Sequence, residues 1–116
     1  EGVGTKMTVN NLINTLGLEV LTLPDGEKEI TGGYVGDLLS WVMGKAEEGD
    51  AWITIMSNIN VIAVASLRDV ACVILAENSD VEKKTLEKAE EENINILRSE
   101  LNSFDLCVNL GNLLKK

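Results

Sequence analysis

Hydrophobic residues at helical spacing open the chain. In TVNNLINTL, Thr8 to Leu16, the residues Val9, Leu12, Ile13 and Leu16 share one helical face behind Thr8 as N-cap. Gly17 stands where a left-handed closing residue belongs, so the spacing predicts a first helix. LEVLTL, Leu18 to Leu23, is a short apolar run ending in Pro24-Asp25-Gly26, the residue types of a reverse turn, and it predicts a strand. From Val35 the apolar positions Val35, Leu38, Leu39, Val42 and Met43 follow the i, i+3, i+4, i+7, i+8 template of a second helix, with Gly44 as its stop. AWITIM, Ala51 to Met56, sets Ile53 and Ile55 against Trp52, Thr54 and Met56. Apolar groups on both sides predict a strand covered on both faces.

Ile59, Val61, Ile62, Ala63 and Val64 fit a buried strand and a buried helix alike. Asn58 as an N-cap, and the need for a connection before the next strand, favour the helix. That strand is DVACVILA, Asp69 to Ala76, whose VACVIL centre reads as fully buried and parallel. In NSDVEKKTLEKAEEEN, Val81, Leu86 and Ala89 are apolar and charged residues fill the rest, the pattern of a helix with one solvated face. A strand at Ile94 to Leu97 and a last helix from about Asn102 to Leu114 complete the alternation. Such a succession predicts an α/β fold of three layers, a mostly parallel sheet of about four to five strands with helices on both faces.

Composition narrows what this architecture can do. A chain of 116 residues, 45% hydrophobic, has room for one domain, expected at residues 7–116. Residues 1–6, EGVGTK, lack periodicity and are expected to be an expression remnant or a disordered terminus. No apolar run approaches the roughly 20 residues of a bilayer crossing, and no signal-peptide pattern occurs, so no membrane association is expected. Ten basic against 19 acidic residues leave a net charge of −9, which argues against a nucleic-acid partner. Cys72 and Cys107 lie in apolar periodic segments rather than in a C-x-x-C pair, and they read as buried free thiols in a reducing cytoplasm.

The chain contains no histidine, which removes Ser-His-Asp and Cys-His catalysis and His-ligated zinc together. No catalytic residue, metal or cofactor is expected. An enzyme would have to rely on groups such as Asp37 and Lys45, whose spacing fits no defensible catalytic pair.

The glycines of EITGGYVGDLLSWVMG invite comparison with phosphate loops. A dinucleotide fingerprint needs a preceding strand, G-x-G-x-x-G spacing and an acidic residue at the end of the second strand. Here the spacing is G-G-x-x-G, Asp50 precedes its strand, and no G-K-[ST] is present. Two readings stay open: a turn that needs glycine at Gly32 and Gly33, or exposed amides at a helix start that hold an anion beside Thr31 and Asp37.

ITGGYVGDLL (Ile30 to Leu39), WITI (Trp52 to Ile55) and the stretch from Cys72 to Phe104 together resemble the DRTGG domain. The last stretch is also similar to the N-terminal domain of bacterial HPr kinase/phosphorylase, and the likeness runs from Met7 to Leu113. Thr31, Gly32 and Gly33 keep the T-G-G, while the acidic and basic positions before it are occupied by Glu27 and Lys28. The resemblance implies a non-catalytic regulatory α/β module, of a kind found attached to phosphotransacetylases, CBS-domain pyrophosphatases and kinases.

Open parallel sheets place ligands at the carboxyl ends of their strands. With the glycine segment, that rule nominates Thr31, Gly32, Gly33, Asp37, Ser57, Asn58, Asn78 and Ser99 for a small phosphorylated or nucleotide-like ligand. Tyr34 and Trp41, seven residues apart and aligned within about 20° on the expected second helix, are nominated as the contact of a homodimer. The alternative is a scaffold that dimerises or holds a kinase or metabolic enzyme and binds no small molecule.

Overall fold

A computed structural model describes residues 6–115 of the chain; the expected terminal remnant, apart from Lys6, lies outside the described residues. The first helix, α1 (Val9–Leu16), is closed at both ends by the residues the pattern nominated. Thr8 Oγ1 accepts from the Asn11 amide at 3.1 Å while Asn11 Oδ1 accepts from the Thr8 amide at 3.0 Å, so two otherwise orphaned donors are satisfied reciprocally. Gly17 terminates the helix at φ 66°.

Nine further elements follow: β1 (Glu19–Thr22), β2 (Gly32–Val35), α2 (Leu39–Lys45), β3 (Asp50–Thr54), α3 (Ile59–Arg68), β4 (Cys72–Leu75), α4 (Lys83–Glu91), β5 (Ile96–Arg98) and α5 (Ser103–Leu114). The sheet has five strands in the order β1-β5-β4-β3-β2. β2 to β5 are parallel, and β1 joins β5 antiparallel. The expected three-layer, mostly parallel fold is therefore the one observed. The ambiguous segment after Asn58 is a helix, with Asn58 Oδ1 accepting from the Asn60 amide at 2.8 Å.

Alternation along the strands distributes the core. Ala51, Ile53, Cys72, Ile74 and Leu97 point toward Val9 and Leu12 of α1 and Leu106 and Leu110 of α5. Trp52, Val73, Leu75 and Ile96 point the other way, toward Val42, Ile62 and Ala89 of α2, α3 and α4. The three crossover helices thus share one face, as expected of same-handed connections between strands laid down in sequence order. Each fully buried Leu, Ile or Val stabilises the fold by about 1.5–3 kcal/mol, which gives both layers comparable anchors. Trp52 is wholly buried, and its indole N–H donates to the Gly36 carbonyl at 2.9 Å.

The segment around the glycines departs from the pattern. Residues 32–35 form β2, in register with Asp50 to Ile53 of β3, rather than a turn leading into a helix at Val35. Val35 belongs to the strand, and the chain turns at Gly36 and Asp37 because the Asp37 carboxylate ties it to the end of β3. The second helix begins only at Leu39, and Gly44 lies inside it: the Ala46 amide still donates to the Val42 carbonyl at 2.9 Å. Tyr34 and Trp41 consequently stand on a strand and a helix and share no helical face.

Smaller boundary shifts have similar causes. β3 stops at Thr54, short of the expected Met56, because the amides of Ile55 and Met56 bond to the side chains of Asp37 and Thr54. β5 starts at Ile96 rather than Ile94, since the Ile94 amide closes α4 through the Ala89 carbonyl. Cys72 is buried as expected, but Cys107 is only half-buried.

Candidate functional site

Four parallel strands deliver their following loops to one rim of the sheet, and the amino termini of α3, α4 and α5 open onto the same rim. Asp37, Ser57, Asn58, Asn78 and Ser99 all lie in these loops. Thr31 and Gly32 do not, because they stand at the amino end of β2. Six residues separate Thr31 from Asp37, roughly 20 Å along an extended chain at about 3.3 Å per residue. The nominated residues therefore divide between opposite ends of the sheet.

At the amino end, the Thr31 amide donates to the Gly49 carbonyl at 3.0 Å and the Thr31 hydroxyl faces the Glu48 carbonyl at 3.4 Å. Gly49 has φ +86°, and a Cβ there would lie 2.3 Å from Thr31 Oγ1. Asp50 is buried, with Oδ2 accepting from the Glu47 amide at 2.8 Å, and burial pushes its carboxyl above the usual range. Lys28, at the basic position before the T-G-G, is paired with Asp69, the left-handed cap of α3. Gly33 lies beneath α5, where a Cβ would come 3.0 Å from Leu110 Cδ2. The amides of Gly32 and Gly33 thus belong to a strand rather than to a helix start, and Thr31 and Gly32 lie at the end of the sheet away from the carboxyl rim.

At the carboxyl rim, one oxygen of Asp37 is engaged by the end of β3: Oδ1 accepts from Thr54 Oγ1 at 2.7 Å and from the Ile55 amide at 3.0 Å. Two concavities lie at this rim among the described residues. One, of about 360 Å³, is lined by Ser57, Asn58, Asp80, Val81 and Glu82. Its two carboxylates oppose an anion, and no basic residue lines it to offset them. The other, of about 380 Å³, brings Asn78 and Ser99 together with Arg98, Glu19 and Glu100. Here the backbone doubles back, with the amides of Glu77 and Asn78 donating to the carbonyls of Leu101 and Ser99, each at 2.8 Å. Glu77 and Asn78 hold φ 58° and 54°, the left-handed conformation that most side chains avoid.

Arg98 is the residue that periodicity did not nominate. It is the last residue of β5, and its guanidinium grips Glu19 through Nε and Nη2 at 2.9 Å each while Nη1 reaches the Ser79 carbonyl at 3.1 Å. Arg98 holds the Glu19 carboxyl below the usual carboxylate range, and Glu19 in turn raises the guanidinium. A basic residue at the carboxyl end of a strand, immediately before the nominated Ser99, was the available signal.

Trp41 is 59% exposed on α2, with the Lys45 ammonium 5.5 Å from its ring centroid. Tyr34 is half-buried on β2. Among the described residues, no group of three or more His, Cys, Asp or Glu is placed to hold a metal ion, and no helix is long and apolar enough to cross a membrane.

The DRTGG domain family model matches residues 11–112. Among solved structures, the fold is similar to the CBS and DRTGG domains of the regulatory region of Clostridium perfringens pyrophosphatase, determined in complex with the activator diadenosine tetraphosphate. The TM-score is 0.70 at 21% identity, over 85% of this chain and 44% of that one. The chain thus spans less than half of the pyrophosphatase fragment, and the likeness is one of fold. No curated protein sequence matches the chain.

Proposed function

Because the chain belongs to the DRTGG domain family, we propose that it is a non-catalytic regulatory module, paired with a second copy, that senses a small phosphorylated or nucleotide-like ligand at the carboxyl rim of its sheet. The observation that carries this reading is the hollow in which Asn78 and Ser99 meet Arg98. A chain of net charge −9 needs a local cation to accept phosphate, and Arg98 is the one basic residue lining either rim concavity described above. Its present partner is the carboxylate of Glu19, on the antiparallel edge strand β1. A phosphate arriving at Arg98 competes with that carboxylate, so occupancy of the hollow and the hold on β1 become linked. The similar fold in a pyrophosphatase regulatory region complexed with a dinucleotide makes adenine nucleotides the first probes to try.

The test is thermal denaturation with adenosine monophosphate and diadenosine tetraphosphate. A probe at a hundred times its dissociation constant should stabilise the wild type by about 2.7 kcal/mol, and Arg98→Gln should abolish the shift. A wild type that melts at the same temperature with millimolar probe overturns the ligand reading. Exposed Leu38 and Trp41 favour a second reading in that event, a scaffold for a kinase or metabolic enzyme.

A further inference from the structure

We propose that the free edge of β2 is where a second copy of this chain docks, the two β2 strands pairing antiparallel about a two-fold axis perpendicular to the sheet. The inference rests on the dimer proposed above and names its surface. Strand β2 is the last in the sheet order, and among the described residues nothing pairs with its outer side. Its sequence, GGYV, carries none of the charges, prolines or bulges that blunt an edge.

Exposed apolar features lie on the two helices next to this strand, α5 packed against it and α2 following it in the chain, and one symmetry operation would cover them all. On one face, Val35, Ile53, Cys107, Leu110 and Leu114 line an apolar groove of about 320 Å³ between β2 and α5. On the other, α2 and its N-cap expose Trp41 and Leu38, at 59% and 61%. A two-fold axis perpendicular to the sheet keeps like faces together, so α5 meets its equivalent over the groove and α2 meets its equivalent at Trp41.

Charge selects the occupant. In a chain with 19 acidic and 10 basic residues, β2, α2 and α5 carry only Lys45 and Asp105. Two copies of a polyanion repel across most of their surface, and this edge is where they approach with little like-charge opposition.

Sedimentation equilibrium of the full chain tests the proposal. The wild type should be a micromolar or tighter dimer, and Val35→Lys and Trp41→Glu should each weaken it by about tenfold or more. Leu67→Glu, at an exposed leucine on α3, should leave it unchanged. Hydrogen exchange of the wild type supplies a reading independent of any variant's folding: β2 amides should gain protection over the concentration range in which the dimer forms. A monomeric wild type overturns the dimer itself. A dimer that survives both edge variants, or that forms without protecting β2, overturns only this surface and leaves the dimer standing.

Discussion

The outer strands β1 and β2 are fastened in opposite ways. At the β1 edge, side chains do the fastening. Thr22 Oγ1 donates to the Ile94 carbonyl at 2.8 Å and accepts from the Ile96 amide at 3.0 Å, standing in for the ladder where the register slips between Val20 and Thr22. Asn95, buried, donates to the carbonyls of Asp25 and Ala71 and accepts from the Asp25 amide. Arg98 and Glu19 close the exposed end. The β2 edge lacks this stitching within the strand. Its side-chain bonds gather just beyond it, at Gly36 and Asp37. Among the described residues the outer backbone rows of both strands are unpaired, so β1 is closed only on its inner side. The β1 edge carries Glu19, a register slip and the Arg98 hollow, and β2 carries none of these; the proposed ligand site rests on the first and the proposed dimer contact on the second.

Asn95→Leu attacks the β1 edge hardest. It strands the buried Ala71 carbonyl and the part-buried backbone groups of Asp25 and should cost about 2–4 kcal/mol in urea unfolding. Gly49→Ala strikes the foundation of the β2 edge, forcing φ +86° on a residue with a Cβ and crowding Thr31. It should cost about 2–3 kcal/mol by the same measurement. Asp37→Ala, which releases the Thr54 hydroxyl and the Ile55 amide, should cost about 1–2 kcal/mol and raise hydrogen exchange at the end of β3. A loss below a few tenths of a kcal/mol would show that β3 and the 36–38 turn hold without that carboxylate.

Protons should separate the edges by sign, with the smallest effects. Glu19 has a folded pKa below its unfolded value, so its contribution is present above the unfolded value near 4.5 and fades as pH falls through the folded one. Asp50, paired in register with Gly32, has a raised folded pKa. Its contribution is full below the unfolded value near 3.8 and is lost as pH rises through the folded value. Asp50→Asn should therefore stabilise the protein at neutral pH, and Glu19→Gln should flatten the acid limb of the stability profile. Denaturant midpoints measured from pH 3 to pH 7 check both.

The contrast between the edges also explains what could be read from the sequence. Helices with residue-level signals, Thr8 to Gly17 and Asn58 onward, were legible because caps and apolar spacing act within a few positions. The buried strands around Trp52 and Val73 were legible because both their faces are apolar. β2 was not, because GGYV offers almost no apolar pattern and Val35 happens to fit the template of the helix behind it. The bonds from Asp37 to Thr54 and Ile55 were not legible because those partners lie 17 and 18 positions away. The rim itself followed from the alternation of strands and helices, yet Arg98 escaped because its bond to Glu19 spans 79 positions. Cys107 escaped differently: Asp105, Asn109 and Asn112 mark one polar side of its helix, but the apolar remainder is so broad that periodicity could not tell which flank would stay open.

The bond from Thr22 to Ile94 spans 72 positions, whereas β2, β3 and β4 each pair with the next strand along the chain. Sequential pairings close short loops and can zip in order, while β1 must wait for a far longer closure. On that ground β1 should be the last strand to gain amide protection during refolding, which pulse-labelled hydrogen exchange would read.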